Sequence, residues 1–258
     1  MNSRIIAFVT IVGVQALAGA LANRIAAPTW AAQRAREPAL ELPAGVAAGQ
    51  GATLAMLGGF RGLAADAAWL ELQAAWETRD LAATDTLVRL VPAIDPRPVY
   101  FWLNGARIVA NDLPAWRIEA EGGYAAVPAA RHEEIEREQA RLALAQLDRA
   151  LAFHPHNAEL RIERANIELV RLGDTAAAAE DYRRAAEQPG APYYAARLHA
   201  EMLRRLGRRA EALAWLVQIH PALPRDEPAA EAELVLARIR ALERELGVPA
   251  ERSYRPAR

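Results

Sequence analysis

The side chains whose types could do metal or acid-base chemistry are five histidines and the carboxylate run Glu133, Glu134, Glu136 and Glu138. His154 and His156 flank Pro155, and two ligands at i and i+2 around a proline cannot share a helical face; His132, His199 and His220 are scattered. No H-x-x-x-H pair with a nearby acid occurs, so no metal site is expected, and a histidine at a helix end is read as capping carbonyls or meeting solvent. Paired acids hydrolyse glycosidic bonds only when they face each other across a cleft with one desolvated. Here Arg137 and Arg141 lie one helical turn from the acids, which predicts a solvated helix face. A carboxylate-dependent hydrolase is therefore the distant alternative.

Missing residue types exclude more. The chain has no Lys and no Cys, and its two serines are Ser3 and Ser253 in the terminal segments. Walker P-loops, Schiff-base lysines, thiol catalysis and thiolate metal sites are thereby excluded. A serine hydrolase needs its nucleophile aligned with a base on a rigid scaffold, which neither serine has. The glycine-rich run Leu57-Gly58-Gly59-Phe60-Arg61-Gly62 lacks the Lys and Ser or Thr of a phosphate loop. It reads as a tight turn into a first helix, with Asp66 favouring the N-terminal half. A net charge of -1 supplies no field to recruit nucleic acid, and no cofactor is expected.

The scaffold beneath these side chains is written in a period. Gly173 and Gly207 are 34 residues apart, as are Pro155 and Pro189. Glycine between two helical patterns, with proline closing the second, marks stacked helix-turn-helix units. One such unit cannot bury its own apolar face and must stack on a neighbour. A small Ala lies five residues after each Gly, at Ala178 and Ala212, and a large residue, Tyr182 or Trp215, follows near mid-helix. Abundant Ala, Leu, Arg and Glu agree with an all-α chain.

These runs resemble the tetratricopeptide repeat (TPR) family of antiparallel helix pairs. Ala143, Leu147, Ala150, Leu151 and Pro155 match its second helix, and a weaker copy runs from Arg79 to Pro96 with Pro92 inside the helix, where an irregular last turn is expected. The Gly-Phe-Arg-Gly run is similar to those opening membrane-anchored bacterial repeat proteins. The resemblance implies an α-solenoid over residues 57–247 whose concave side is lined by the first helix of each unit. Its groove positions correspond to Phe101, Asn104 and Ile108, to Arg161, Arg164 and Glu168, and to Tyr194, Arg197, Glu201 and Arg204. Mixed arginines and aromatics suit an extended peptide, Arg gripping a carboxylate and rings supplying apolar area. The family's Lys- and Asn-based clamp for peptide C-termini is not reproduced.

Ile5 to Ala22 is an uncharged stretch of 18 residues, the length of a membrane-spanning helix. Residues 1–26 are thus expected as a single-pass anchor; Ala20-Leu21-Ala22 offers a cleavable signal as the alternative. Residues 27–56, rich in Pro, Gly and Ala, read as a linker. The short leader before the span favours an extracytoplasmic, periplasmic domain. Pro96 and Pro155 are 59 apart, about 25 residues more than one period, so an insertion is expected near 111–131. Its Trp116 and Tyr124 either contact a partner or fold back over a helix end. A capping helix is expected over about 227–247, with Asp226 as N-cap, Pro228 in the first turn and Gly247 as the stop, and then a flexible tail over 248–258.

Together these features predict a membrane-anchored scaffold that binds a protein or peptide partner in a bacterial envelope assembly, with a structural subunit of a membrane complex as the alternative. Neither reading involves catalysis.

Overall fold

The computed structural model describes residues 61–256, and every regular element among them is helical. The expected anchor over 1–26 and linker over 27–56 lie outside the described residues. Among the described residues, no helix is long and apolar enough to cross a membrane. In chain order the α-helices are α1 (Arg61–Glu77), α2 (Leu81–Ile94), α3 (Val99–Arg107), α4 (Leu113–Ala120), α5 (Ala129–Phe153), α6 (Ala158–Ile167), α7 (Thr175–Ala186), α8 (Tyr193–Arg205), α9 (Arg209–Ile219) and α10 (Ala232–Glu245). Wide π-helical turns, Ile108–Asp112 and Glu168–Leu172, extend α3 and α6.

Local chemistry sets the boundaries. Asp80, Asn157 and Asp174 each accept a hydrogen bond from the backbone N–H three residues on, at 2.9 to 3.0 Å, and so cap α2, α6 and α7. Gly173 (φ 69°) and Gly207 (φ 77°) adopt the left-handed conformation between the helices of a pair, where a side chain would be strained. Helix α2 runs through the buried Pro92 to Ile94, and the Asp95 N–H closes it on the Val91 carbonyl at 3.2 Å. The last turn lacks the hydrogen bond that Pro92 has no N–H to donate, and the helix continues for only two residues beyond it.

Helices near in sequence pack on each other: α1 on α2, α6 on α7, α7 on α8, α8 on α9, and α9 on α10, with α3 packing past α4 on α5, and further contacts of α5 on α6 and α3 on α6. The first core is aromatic. Trp69 lies 5.4 Å from Phe101 and 5.1 Å from Tyr100, and Trp102 stacks on Phe153 at 5.9 Å. The Trp102 indole N–H donates to the Pro96 carbonyl at 2.8 Å, and His154 Nε2 reaches the same oxygen at 2.9 Å, so the carbonyl-capping reading applies to this histidine. A Cβ on Gly105 would stand 2.5 Å from Gln146 Nε2 and 3.6 Å from the Val88 carbonyl, so this glycine sets the approach of α3 to α5 and α2. The second core, between α6, α7 and α8, is built from Ala158, Ala165, Ala178, Ala179, Ala185 and Ala195 around Tyr182 and Met202.

Most of the segment 111–131 is helical: Pro114 occupies the first turn of α4, where no N–H is required of it, and only 121–128 is non-helical. Two expectations need correction. Asp226 does not cap the last helix. Pro228–Ala230 forms a separate 3-10 turn, and Glu231 at φ 47° redirects the chain before α10 begins at Ala232. The C-terminal residues are not free through their described length either. The Tyr254 N–H donates to Glu243, its hydroxyl meets His220 Nδ1 at 3.0 Å, and its ring lies edge-on to His220 at 5.4 Å. One aromatic residue in a polar segment suffices to dock it.

Candidate partner-binding surface

The groove residues expected from the sequence separate into three groups. Phe101 belongs to the aromatic core, 4 % exposed, and Ile108 and Trp116 pack against that core. Phe101 therefore cannot offer a ring to a partner; a one-residue shift on a helix turns a side chain by about 100°. Tyr100, its neighbour, is the exposed ring on α3. Of the two open readings for the insertion, Trp116 takes the folded-back one. Tyr124 remains exposed with its ring 5.0 Å from His132.

A second group is occupied internally. Arg197 donates to the Ala229 and Ala230 carbonyls at 3.3 and 3.1 Å and pairs with Glu231 at 2.9 Å, so it fastens the turn before α10 to α8. Arg164 contacts Asp148, Asp181 at 2.8 Å and Glu168 at 3.3 Å, and Arg161 lies 3.9 Å from Asp181. Glu168 is buried, its Oε2 without a hydrogen-bond partner. Burial first, and the negative charge of Asp181 second, push its pKa to about 7, Arg164 opposing. This cluster ties α5, the α6 extension and α7 together inside the molecule. A perturbed carboxylate is a mark of active sites as well as of structural ion networks; here both acids are over nine-tenths buried and share one guanidinium.

What remains is a surface of three stripes. On α3, Tyr100, Asn104 and Arg107 follow each other at i, i+4 and i+7, the spacing of one helical face. On α6 the same spacing relates Glu159, Glu163 and Asn166, and on α8 it relates Tyr194, Leu198 and Glu201. Arg107 joins the first two: its Nε and one terminal nitrogen both donate to Glu163 Oε2, at 2.9 and 2.7 Å, with Glu163 almost wholly buried and Arg107 half exposed. That hydrogen bond holds the Arg107 pKa above its ordinary value, and the carboxylate charges of Glu163 and Glu159 act in the same direction. Burial raises the pKa of Tyr182, and Tyr194 and Glu163 raise it further; its hydroxyl donates to Asn166 at 2.6 Å. Side-chain hydrogen bonds thus join the α3 and α6 stripes through Arg107 and Glu163, and tie α7, which packs on α8, to Asn166 of the α6 stripe. Glu201 and Arg204 sit at the end of the α8 stripe, paired at 2.8 Å on their own helix, and Asn104 Nδ2 donates to the Tyr100 carbonyl at 2.9 Å.

Sequence reasoning missed Arg107. Its signal was available: it stands three residues after Asn104 and seven after Tyr100, and a stripe register one residue earlier would have included it.

The carboxylate run on α5 is dispersed into exposed pairs, Glu133 with Arg137 at 3.3 Å, Glu134 with Arg131 at 2.8 Å and Glu138 with Arg117 at 3.0 Å. His156 bonds Gln188 at 3.2 Å, away from the Pro96 contact of His154. Among the described residues, no group of three His, Asp or Glu side chains could hold a metal ion. Comparison of the sequence with protein-family models gives no match, and comparison with curated proteins gives none either.

Proposed function

We propose that this chain is a membrane-anchored scaffold, an α-solenoid of TPR-like helix pairs, that docks an extended segment of another protein across α3, α6 and α8. The 34-residue period and the packing of helices near in sequence support the solenoid reading. The observation that carries the docking surface is the Arg107–Glu163 pair. A buried carboxylate fixes a half-exposed guanidinium whose remaining terminal nitrogen is not used in that pair, and Tyr100, on the same face of α3, and Tyr194, on α8, are exposed. A guanidinium already oriented loses little freedom on gripping a peptide carboxylate or carbonyl, and flanking rings supply apolar area at low entropic cost.

The uncharged Ile5–Ala22 stretch supports the anchor, and the likeness of the Gly-Phe-Arg-Gly run to those of membrane-anchored bacterial repeat proteins supports an extracytoplasmic place in a bacterial envelope assembly. This reading assigns the chain no catalysis, cofactor, metal or nucleic acid. The test is chemical crosslinking in membranes followed by pulldown and mass spectrometry, with wild type beside Arg107→Glu and Tyr194→Ala. A partner recovered with wild type and lost with both variants is expected. A partner retained by both, but lost when Ile5–Ala22 is replaced by an unrelated span, would instead make the chain a structural subunit held through its membrane helix. Turnover of a small substrate by the isolated protein would overturn both readings.

A further inference from the structure

Helix α1 buries Ala65, Ala68, Trp69 and Leu72 against its neighbours and turns a second apolar stripe outward. Leu63 is 68 % and Leu70 66 % exposed, and Ala67 and Ala74 are exposed between and beyond them. Isolated surface leucines need no explanation; four apolar residues spaced 4, 3 and 4 along one face do. That spacing is the heptad seam of a helix pair, with Leu at one seam position and Ala at the other.

We infer that this stripe docks a second copy of the same chain, as an antiparallel pair of α1 helices about a two-fold axis between Ala67 and Leu70. Under that axis Leu63 faces Ala74 of the partner subunit and Ala67 faces the partner's Leu70, so each large side chain meets a small one. A parallel pair would place Leu on Leu and Ala on Ala, leaving gaps at the alanine layers. Charge selects the same arrangement. Asp66 and Glu71 flank the seam on opposite sides, and parallel pairing would set Asp66 beside the partner's Glu71. Antiparallel pairing turns Asp66 towards the partner's Gln73 and Glu71 towards the partner's Ala64. A face complementary to itself under a two-fold is what a symmetric dimer requires. The 17 residues of α1 extend only about 26 Å, so the contact is a weak one, best trapped chemically.

The chain has no cysteine, so engineered thiols report without background. Full-length protein carrying Leu63→Cys and Ala74→Cys together should form an oxidised dimer. Leu63→Cys alone should not, because two copies of position 63 stand about 16 Å apart along an antiparallel pair. Adding Leu70→Glu, an exposed change that leaves helix content intact, should weaken the dimer at least about tenfold. A dimer from Leu63→Cys alone would mean a parallel pair. No dimer from the double variant, with its circular dichroism unchanged, would mean that lipid or another protein covers the stripe. Either result overturns the proposal, and neither bears on the α3, α6 and α8 surface.

Discussion

The cores of α1 to α5 and of α6 to α8 hold neighbouring helices together by opposite means. In the first, rings fill the space: Trp69 packs on Phe101 and Trp102 on Phe153, and a single glycine at 105 admits the Gln146 side chain of α5. In the second, alanines bring the helices close, and a buried network of Arg164, Asp181 and Glu168 joins what the small side chains leave. Bulk apolar packing does not change with pH, whereas a buried carboxylate pair sharing one arginine does. The same helix-on-helix geometry therefore comes with two different sensitivities, and the Arg107–Glu163 pair lies across the contact between the two regions.

The contrast breaks most readily at the rings. Phe101→Ala should destabilise by about 3–5 kcal/mol in denaturant titration, since it removes a buried ring and leaves a cavity. Gly105→Ala comes next, at about 1–3 kcal/mol, because the new methyl must displace the Gln146 amide, itself 8 % exposed and bonded to the Trp102 carbonyl.

The ionic core should respond to pH instead. Glu168 has a pKa raised from 4.5 to about 7, so between those values the folded state binds more protons than the unfolded one. Its contribution is therefore lost as pH rises through that window, and Glu168→Gln should flatten the slope and stabilise the protein at pH 8 by roughly 1–3 kcal/mol. His199 works in the other direction. Burial lowers its pKa below the ordinary 6.5, and its contribution is lost as pH falls through that value, a slope the Glu168→Gln variant keeps. Smallest is the cap: Asp174→Ala should cost about 1 kcal/mol in denaturant titration, through the lost hydrogen bond to the Ala177 N–H.

The sequence showed the all-helical class, the glycine turns at 173 and 207, and the closing prolines, because those positions demand particular backbone conformations whatever surrounds them. The aromatic face of α3 was misread by one residue, Phe101 for Tyr100, since both rings touch Trp69 and only the packing of the whole core decides which of them is covered. Helix α4 was hidden because Pro114 reads as a breaker unless its place in a first turn is known. Arg161, Arg164, Glu168 and Arg197 have the composition of a binding groove, and nothing in their spacing says that their partners, Asp181 and the Ala230 carbonyl, lie within the same chain. Charged side chains reveal chemistry by type, but whether that chemistry is spent internally is a property of the fold.

The most direct test of the proposed docking surface places a photo-crosslinking amino acid at position 194, exposed on α8, in membranes, with and without Arg107→Glu. The account predicts a crosslinked partner that disappears in the Arg107→Glu background while the protein stays folded. A partner captured equally well without Arg107, or none captured from 194 while other exposed positions crosslink, would contradict it.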